Sequence, residues 1–129
     1  MRKTLLATIP AFLLMAMSFA NAGQKERFTD ARFDAAQLKN ESIIIDVTAP
    51  WCPTCKAQKP IIEKLSSDKK YNDVVILEVD FDTQKDALKR FKVNQQSTLI
   101  AFKGKSEKGR STGDTTEAGI RSLFDKASN

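Results

Sequence analysis

The residues in this chain best able to do covalent chemistry are its two cysteines, Cys52 and Cys55, in the order Cys-Pro-Thr-Cys. A zinc half-site of this spacing needs two or more further Cys or His ligands, and the 129-residue chain has no other Cys and no His. A purely structural disulfide closing so short a loop would remove little chain entropy. Thiol–disulfide exchange asks for something more specific, a sulfur at the start of a helix. Unpaired backbone N–H groups and partial positive charge there stabilise a thiolate, drawing its pKa below the free value of about 8.5. The flanking residues meet that demand. Ile43-Ile44-Ile45-Asp46-Val47 reads as a strand buried on both faces, Ala49-Pro50-Trp51 breaks it, and Pro53 suits the first turn of a helix. One helical turn separates the sulfurs and brings them within disulfide reach. Cys52 is expected as the exposed attacking thiol and Cys55 as the buried resolving one. Redox exchange is the favoured reading, and metal binding and a retired site stay open as alternatives.

Trp51-Cys52-Pro53-Thr54-Cys55-Lys56, set after a strand carrying Asp46, resembles the thioredoxin-fold family. The resemblance runs without a gap from about Phe28 to Phe124, with Asp46 as the family's buried acid, Pro60 as its helix-kinking proline and Gly113 as its late glycine. It implies an α/β thioredoxin fold, a central mixed β-sheet flanked by helices on both faces. It also implies an enzyme, a thiol–disulfide oxidoreductase that needs no cofactor beyond its Cys52–Cys55 disulfide. The partners implied are protein thiols and disulfides and a membrane redox partner. Asp46 would take the proton of Cys55, directly or through water, so that Cys55 can attack the Cys52–substrate mixed disulfide. Burial alone should raise the pKa of such a carboxylate. Trp51, Pro53, Thr54, Gln96, Ser97 and Gly113 are expected to frame a shallow patch where an extended substrate segment docks.

Two positions depart from the family pattern. The cis-proline that faces the cysteines falls on Ser97; a non-proline cis bond costs about 3 kcal/mol, so a trans Gln96–Ser97 bond is expected. A serine there should leave the pair more open and place a hydroxyl near the sulfur. The lysine near the buried acid falls on Glu78, which raises the pKa of Asp46 further if it points inward and does nothing if it points to solvent. The Pro-Thr dipeptide resembles that of glutaredoxins and periplasmic oxidants. The reduction potential is expected between the extremes of about −270 and about −120 mV.

The elements that must hold this site follow from apolar periodicity and turn residues. A short edge strand is expected at Glu26–Thr29. A helix over Ala31–Lys39, capped by Asp30, should turn Phe33, Ala36 and Leu38 inward. The active-site helix should run Pro53–Ser66 with Ile61, Ile62 and Leu65 inward and Lys56, Lys59 and Lys64 outward. Pro60 should kink it. A strand follows at Val74–Phe81, then a helix capped by Asp82 or Thr83 that ends at Phe91, with Ala87, Leu88 and Phe91 inward. Thr98–Phe102 and a strand around Arg110–Thr112 form a hairpin across Lys103–Gly109. A last helix over Thr116–Lys126, opened by Asp114 or Thr115, faces the sheet with Ile120, Leu123 and Phe124. The order is βαβαβαββα.

The first residues carry the expectation about compartment. Arg2 and Lys3, an apolar Leu5–Ala20 and Ala20-Asn21-Ala22 read as a secretory signal cleaved after Ala22, with the domain at 23–129 and the periplasm as destination. The apolar run is shorter than the ~20 residues that span a bilayer, so no stable membrane insertion is expected after cleavage. Cleavage lowers Lys+Arg from 21 to 19 against 16 acids, a mild excess interspersed with carboxylates, which reads as a solvated surface and not a nucleic-acid site. A monomer is expected. Two other functions compete: a metal or iron–sulfur binding protein in which a dimer pools its cysteines, and a non-catalytic docking protein.

Overall fold

Branched residues crowd the central strands because both faces of the sheet are covered. The computed structural model describes residues 25–129; the signal reading at 1–22 lies outside them. The elements in chain order are β1 (Lys25–Arg27), α1 (Asp30–Leu38), β2 (Ser42–Thr48), α2 (Pro53–Ser66), β3 (Val74–Asp80), α3 (Lys85–Phe91), β4 (Thr98–Lys103), β5 (Ser106–Thr112) and α4 (Glu117–Ser128). A single 3₁₀ turn at Lys69–Tyr71 precedes β3. The sheet order is β1-β3-β2-β4-β5, with β1, β3 and β2 parallel and β4 and β5 antiparallel. This is the expected α/β architecture and the expected element order.

Side chains alternate across each strand, and the core divides accordingly. One face gathers Ile43, Ile45, Val47, Leu77 and Ile100 against α1 and α3, with Phe33 edge-on to Phe91 (ring centroids 5.1 Å) and to Phe102 (5.2 Å). The other gathers Ile44, Ile76, Leu99 and Ala101 against Ile62 and Leu65 of α2 and Ile120 and Phe124 of α4. Each fully buried aliphatic or aromatic side chain contributes about 1.5–3 kcal/mol of transfer free energy. Asp46 lies on the second face, in line with Ile44, which points its carboxylate at the helix that carries the cysteines.

Several expectations shift in detail. Leu38 is 77% exposed, because α1 turns it away from Phe33 and Ala36. The cap of α1 is Thr29, whose side chain accepts from the Arg32 amide at 3.1 Å, so Asp30 falls inside the first turn. Neither Asp82 nor Thr83 caps α3. Their amides donate instead to the Asp80 carboxylate at 2.8 and 3.1 Å, and the helix starts after Gln84, whose own side chain bridges Asp80 and Phe28. The hairpin gap is also shorter. β5 begins at Ser106, and the chain reverses over Gly104 and Lys105, Gly104 taking a φ of 54° that suits glycine. α4 opens on Thr116, which accepts from the Gly119 amide at 3.1 Å.

Candidate active site

Cys52 is itself the cap of α2: its sulfur accepts from the Cys55 amide at 3.1 Å, and Pro53 occupies the first helical turn. The local sequence explains this, since proline at that position loses no hydrogen bond and Pro50-Trp51 cannot continue β2. Cys52 and Cys55 are joined as a disulfide with Cα atoms 5.3 Å apart. Pro60 lies inside α2 and cannot donate to the preceding turn, yet the helix continues to Ser66.

Exposure of the two sulfurs departs from the sequence reading. Cys52 is 1% exposed and Cys55 7%, so the expected attacking cysteine is as well covered as its partner. Ala49 and Phe81 pack beside the pair, and Ser97 closes it from above. Ser97 was expected to open the site; it is instead 3% exposed, with its hydroxyl 3.0 Å from the Cys52 sulfur and 3.1 Å from that of Cys55. The described residues contain no cis peptide bond, as expected for Gln96–Ser97. Ser97 takes a φ of 61°, a left-handed conformation that costs a non-glycine residue about 1 kcal/mol or more. Three hydrogen bonds hold it there: its amide to the Val47 carbonyl (2.8 Å), and its carbonyl to the Gly113 amide (3.0 Å) and to Gln58 Nε2 (3.2 Å). Gly113, at a φ of 77° with no atom crowding a would-be Cβ, is glycine for its backbone conformation.

Around this centre the remaining patch residues separate. Trp51 is 54% exposed; its indole N–H donates to Asp82 at 2.8 Å and its ring meets Phe81 edge-on. Pro53 and Gly113 are exposed, and Thr54 and Gln96 half-buried. Trp51 and Pro53 flank Cys52 in the chain, whereas Gln96 and Gly113 reach the site through Ser97.

On the other side of the pair a cleft of about 410 Å³ is lined by Cys55, Asp46, Lys56, Lys59, Glu78 and Lys25, among others. Asp46 is 5% exposed. Burial pushes its carboxyl up to about 7, Glu78 pushes the same way, and Lys25 pulls it back. Glu78 is therefore coupled to Asp46, and the register explains why. The two residues are paired across the parallel β2–β3 ladder and share a face. Lys25 on β1 forms an ion pair with Glu78 at 3.4 Å, so a cation does stand near the buried acid, supplied from the edge strand. Among the described residues no group of three or more His, Cys, Asp or Glu side chains could hold a metal ion.

Sequence reasoning missed Gln58 and Lys25. Gln58 is 1% exposed, and its Nε2 donates to the Ser97 and Asp114 carbonyls. Its signal was a polar residue on the same face as Cys55 and Ile62. Lys25 left none, because its partner Glu78 comes from β3, far along the chain.

A helix capped by one cysteine of a Cys-x-x-Cys pair, beside a mixed sheet with a buried acid, defines a class of dithiol redox protein. Comparison with known proteins agrees. The family profile Thioredoxin matches residues 24–126. A Thioredoxin H-type of Brassica campestris is 36% identical over 86 residues, 67% of this chain and 68% of that protein. The Bifunctional thioredoxin reductase/thioredoxin of Mycobacterium leprae is 32% identical over 84% of this chain, which spans 24% of that longer protein. The crystal structure of Trxlp from Edwardsiella tarda EIB202 superposes with a TM-score of 0.76 at 38% identity, covering 78% of this chain and 98% of that one. The chain belongs to the thioredoxin family. It is a thiol–disulfide oxidoreductase whose redox centre is its own cysteine pair, with protein thiols and disulfides as the family's substrates and no added cofactor.

Proposed function

We propose that this is an exported thiol–disulfide oxidoreductase of the periplasm, a monomer that exchanges its Cys52–Cys55 pair with protein substrates and with a membrane redox partner. In the reducing direction the Cys52 thiolate attacks a substrate disulfide, one substrate sulfur leaves as a thiolate, and a mixed disulfide forms. Cys55 then gives its proton to Asp46 and attacks the Cys52 sulfur. The second substrate thiol leaves, and the protein ends as the disulfide. In the oxidising direction the same steps run backwards.

The observation that carries this reading is the buried Asp46 lining one cleft with Cys55. Its pKa near 7 suits a group that must accept and release a proton around neutrality. Export is supported by Arg2, Lys3, the apolar Leu5–Ala20 run and Ala20-Asn21-Ala22, and N-terminal sequencing of the secreted form should begin at Gly23. Trp51 and Pro53, exposed beside Cys52, are the first surface a docking peptide would meet. Equilibration of the pair against glutathione tests the function and sets its direction. A value near the thioredoxin end would make the protein a reductant, and one near the oxidising end a disulfide donor. Failure to cycle reversibly would overturn the proposal.

A further inference from the structure

Ser97 is used by none of the steps above, yet its hydroxyl lies 3.0 Å from one reacting sulfur and 3.1 Å from the other. The position is built. The amide is tied to Val47, the carbonyl to Gly113 and Gln58, and the residue is held in a backbone conformation that L side chains rarely adopt. Together these contacts fix the Cβ direction, and the residue is 3% exposed, so the hydroxyl is packed against the pair and not out in solvent. Among the described residues, the sulfur of Cys52 has two hydrogen-bonding neighbours, the Cys55 amide and this hydroxyl.

A disulfide sulfur is a weak acceptor, whereas a thiolate accepts a charge-assisted hydrogen bond that is shorter and stronger. A fixed hydroxyl between the two sulfurs therefore gains little in the oxidised protein and much once either sulfur is anionic. We propose that Ser97 is a catalytic residue of the exchange reaction, donating its O–H to the Cys52 thiolate during attack and to the Cys55 thiolate when that sulfur is the nucleophile or the leaving group. The hydroxyl keeps its proton throughout. The electron pair moves from thiolate to the attacked sulfur and out with the departing one, and the net change is one substrate disulfide reduced for one protein dithiol oxidised. The inference rests on the exchange reading above and adds the group that stabilises charge on the sulfurs.

Two consequences follow. Cys52 should be a thiolate in a larger fraction of the reduced molecules at neutral pH, and the reduced form should be favoured relative to the disulfide. The test compares the wild type with Ser97→Ala and Ser97→Gly, both lacking the hydroxyl. Ser97→Gly relieves the left-handed backbone and so decides the matter if Ser97→Ala does not fold. The pH profile of Cys52 alkylation in the reduced proteins should move up by about one unit in both variants, a tenfold loss of reactivity on its rising limb. The reduction potential against glutathione should become more negative by up to about 30 mV, a tenfold change in a two-electron equilibrium. Wild-type profiles and potentials in both variants would overturn the proposal. A shift in Ser97→Ala with none in a folded Ser97→Gly would also overturn it, by assigning the effect to the backbone. A wild type that does not cycle with glutathione would overturn both this inference and the exchange reading. Unchanged variants of a cycling wild type would overturn this one alone.

Discussion

One disulfide meets two different environments. Above it, Cys52 sits in a sealed and uncharged spot, touched by a serine hydroxyl and a backbone amide. Below it, Cys55 opens on a cleft ringed by Lys25, Lys56, Lys59, Asp46 and Glu78. The difference separates two tasks. A nucleophile is tuned by neutral donors that do not themselves titrate, so the tuning does not change over the working pH range. A proton must be accepted and returned, and that needs a titratable group whose pKa lies near the working pH. The charged side can fluctuate with salt and pH without altering the donors on Cys52.

The largest effect should come from cutting the pair itself. Cys52→Ser is expected to abolish turnover, and Cys55→Ser to stop it after the first step and accumulate mixed disulfides, as non-reducing gels of substrate incubations would reveal. Retained turnover in Cys52→Ser would break the division of roles.

Asp46→Asn probes the charged side. Resolution by Cys55 should rise with pH through about 7 in the wild type, following ionisation of Asp46, and the variant should lose that dependence with about tenfold to hundredfold slower turnover. Stability should change the opposite way. The folded-state pKa is raised from 3.8 to about 7, so neutral Asp46 is favoured by folding and the ionised form is not. Its contribution is fully present below the unfolded value and is lost as pH rises through about 7. Urea unfolding of the oxidised wild type should weaken by about 2–4 kcal/mol between about pH 5 and about pH 8 from this group. In Asp46→Asn that loss should largely disappear.

Gln58→Ala probes the sealed side without touching a sulfur. It removes the donor to the Ser97 and Asp114 carbonyls and should cost about 1–3 kcal/mol. Alkylation of reduced Cys52 should also become less sensitive to Ser97→Ala, because the hydroxyl is no longer held in place; additive effects would argue against that link. The smallest effect is expected from Glu78→Gln, which removes a half-exposed charge and should lower the Asp46 pKa slightly, read by NMR titration of the carboxyl. Lys25→Met should shift it the other way, upward.

The fold was legible because its signals are local. Ile43-Ile44-Ile45 cannot be satisfied except in a strand covered on both faces, and Pro53 beside Cys52 marks a helix start whatever packs on it. The bounds of α2 at Pro53 and Ser66 follow from that start and the Ile62–Leu65 face. Capping was less legible. Thr29 and Thr116 competed with equally good neighbours, α3 starts after Gln84 with no side-chain cap at all, and backbone geometry chose among them. The cysteines, Asp46 and the patch around Trp51 could be named for the same reason, since each sits on or beside the motif.

What the sequence determined, then, is the chemistry available: two thiols at a helix start, one buried acid, no histidine. Tertiary structure decided how that chemistry is housed. Serine in place of proline suggested an open pair, but the contacts that seat Ser97 come from β2, α2 and the turn before α4, and they press its hydroxyl onto both sulfurs. Likewise Glu78 faces Asp46 because the parallel register of β2 and β3 aligns them, and Lys25 answers Glu78 from a strand at the far edge. Contacts of that kind depend on which strands become neighbours, and distance along the chain carries no trace of it.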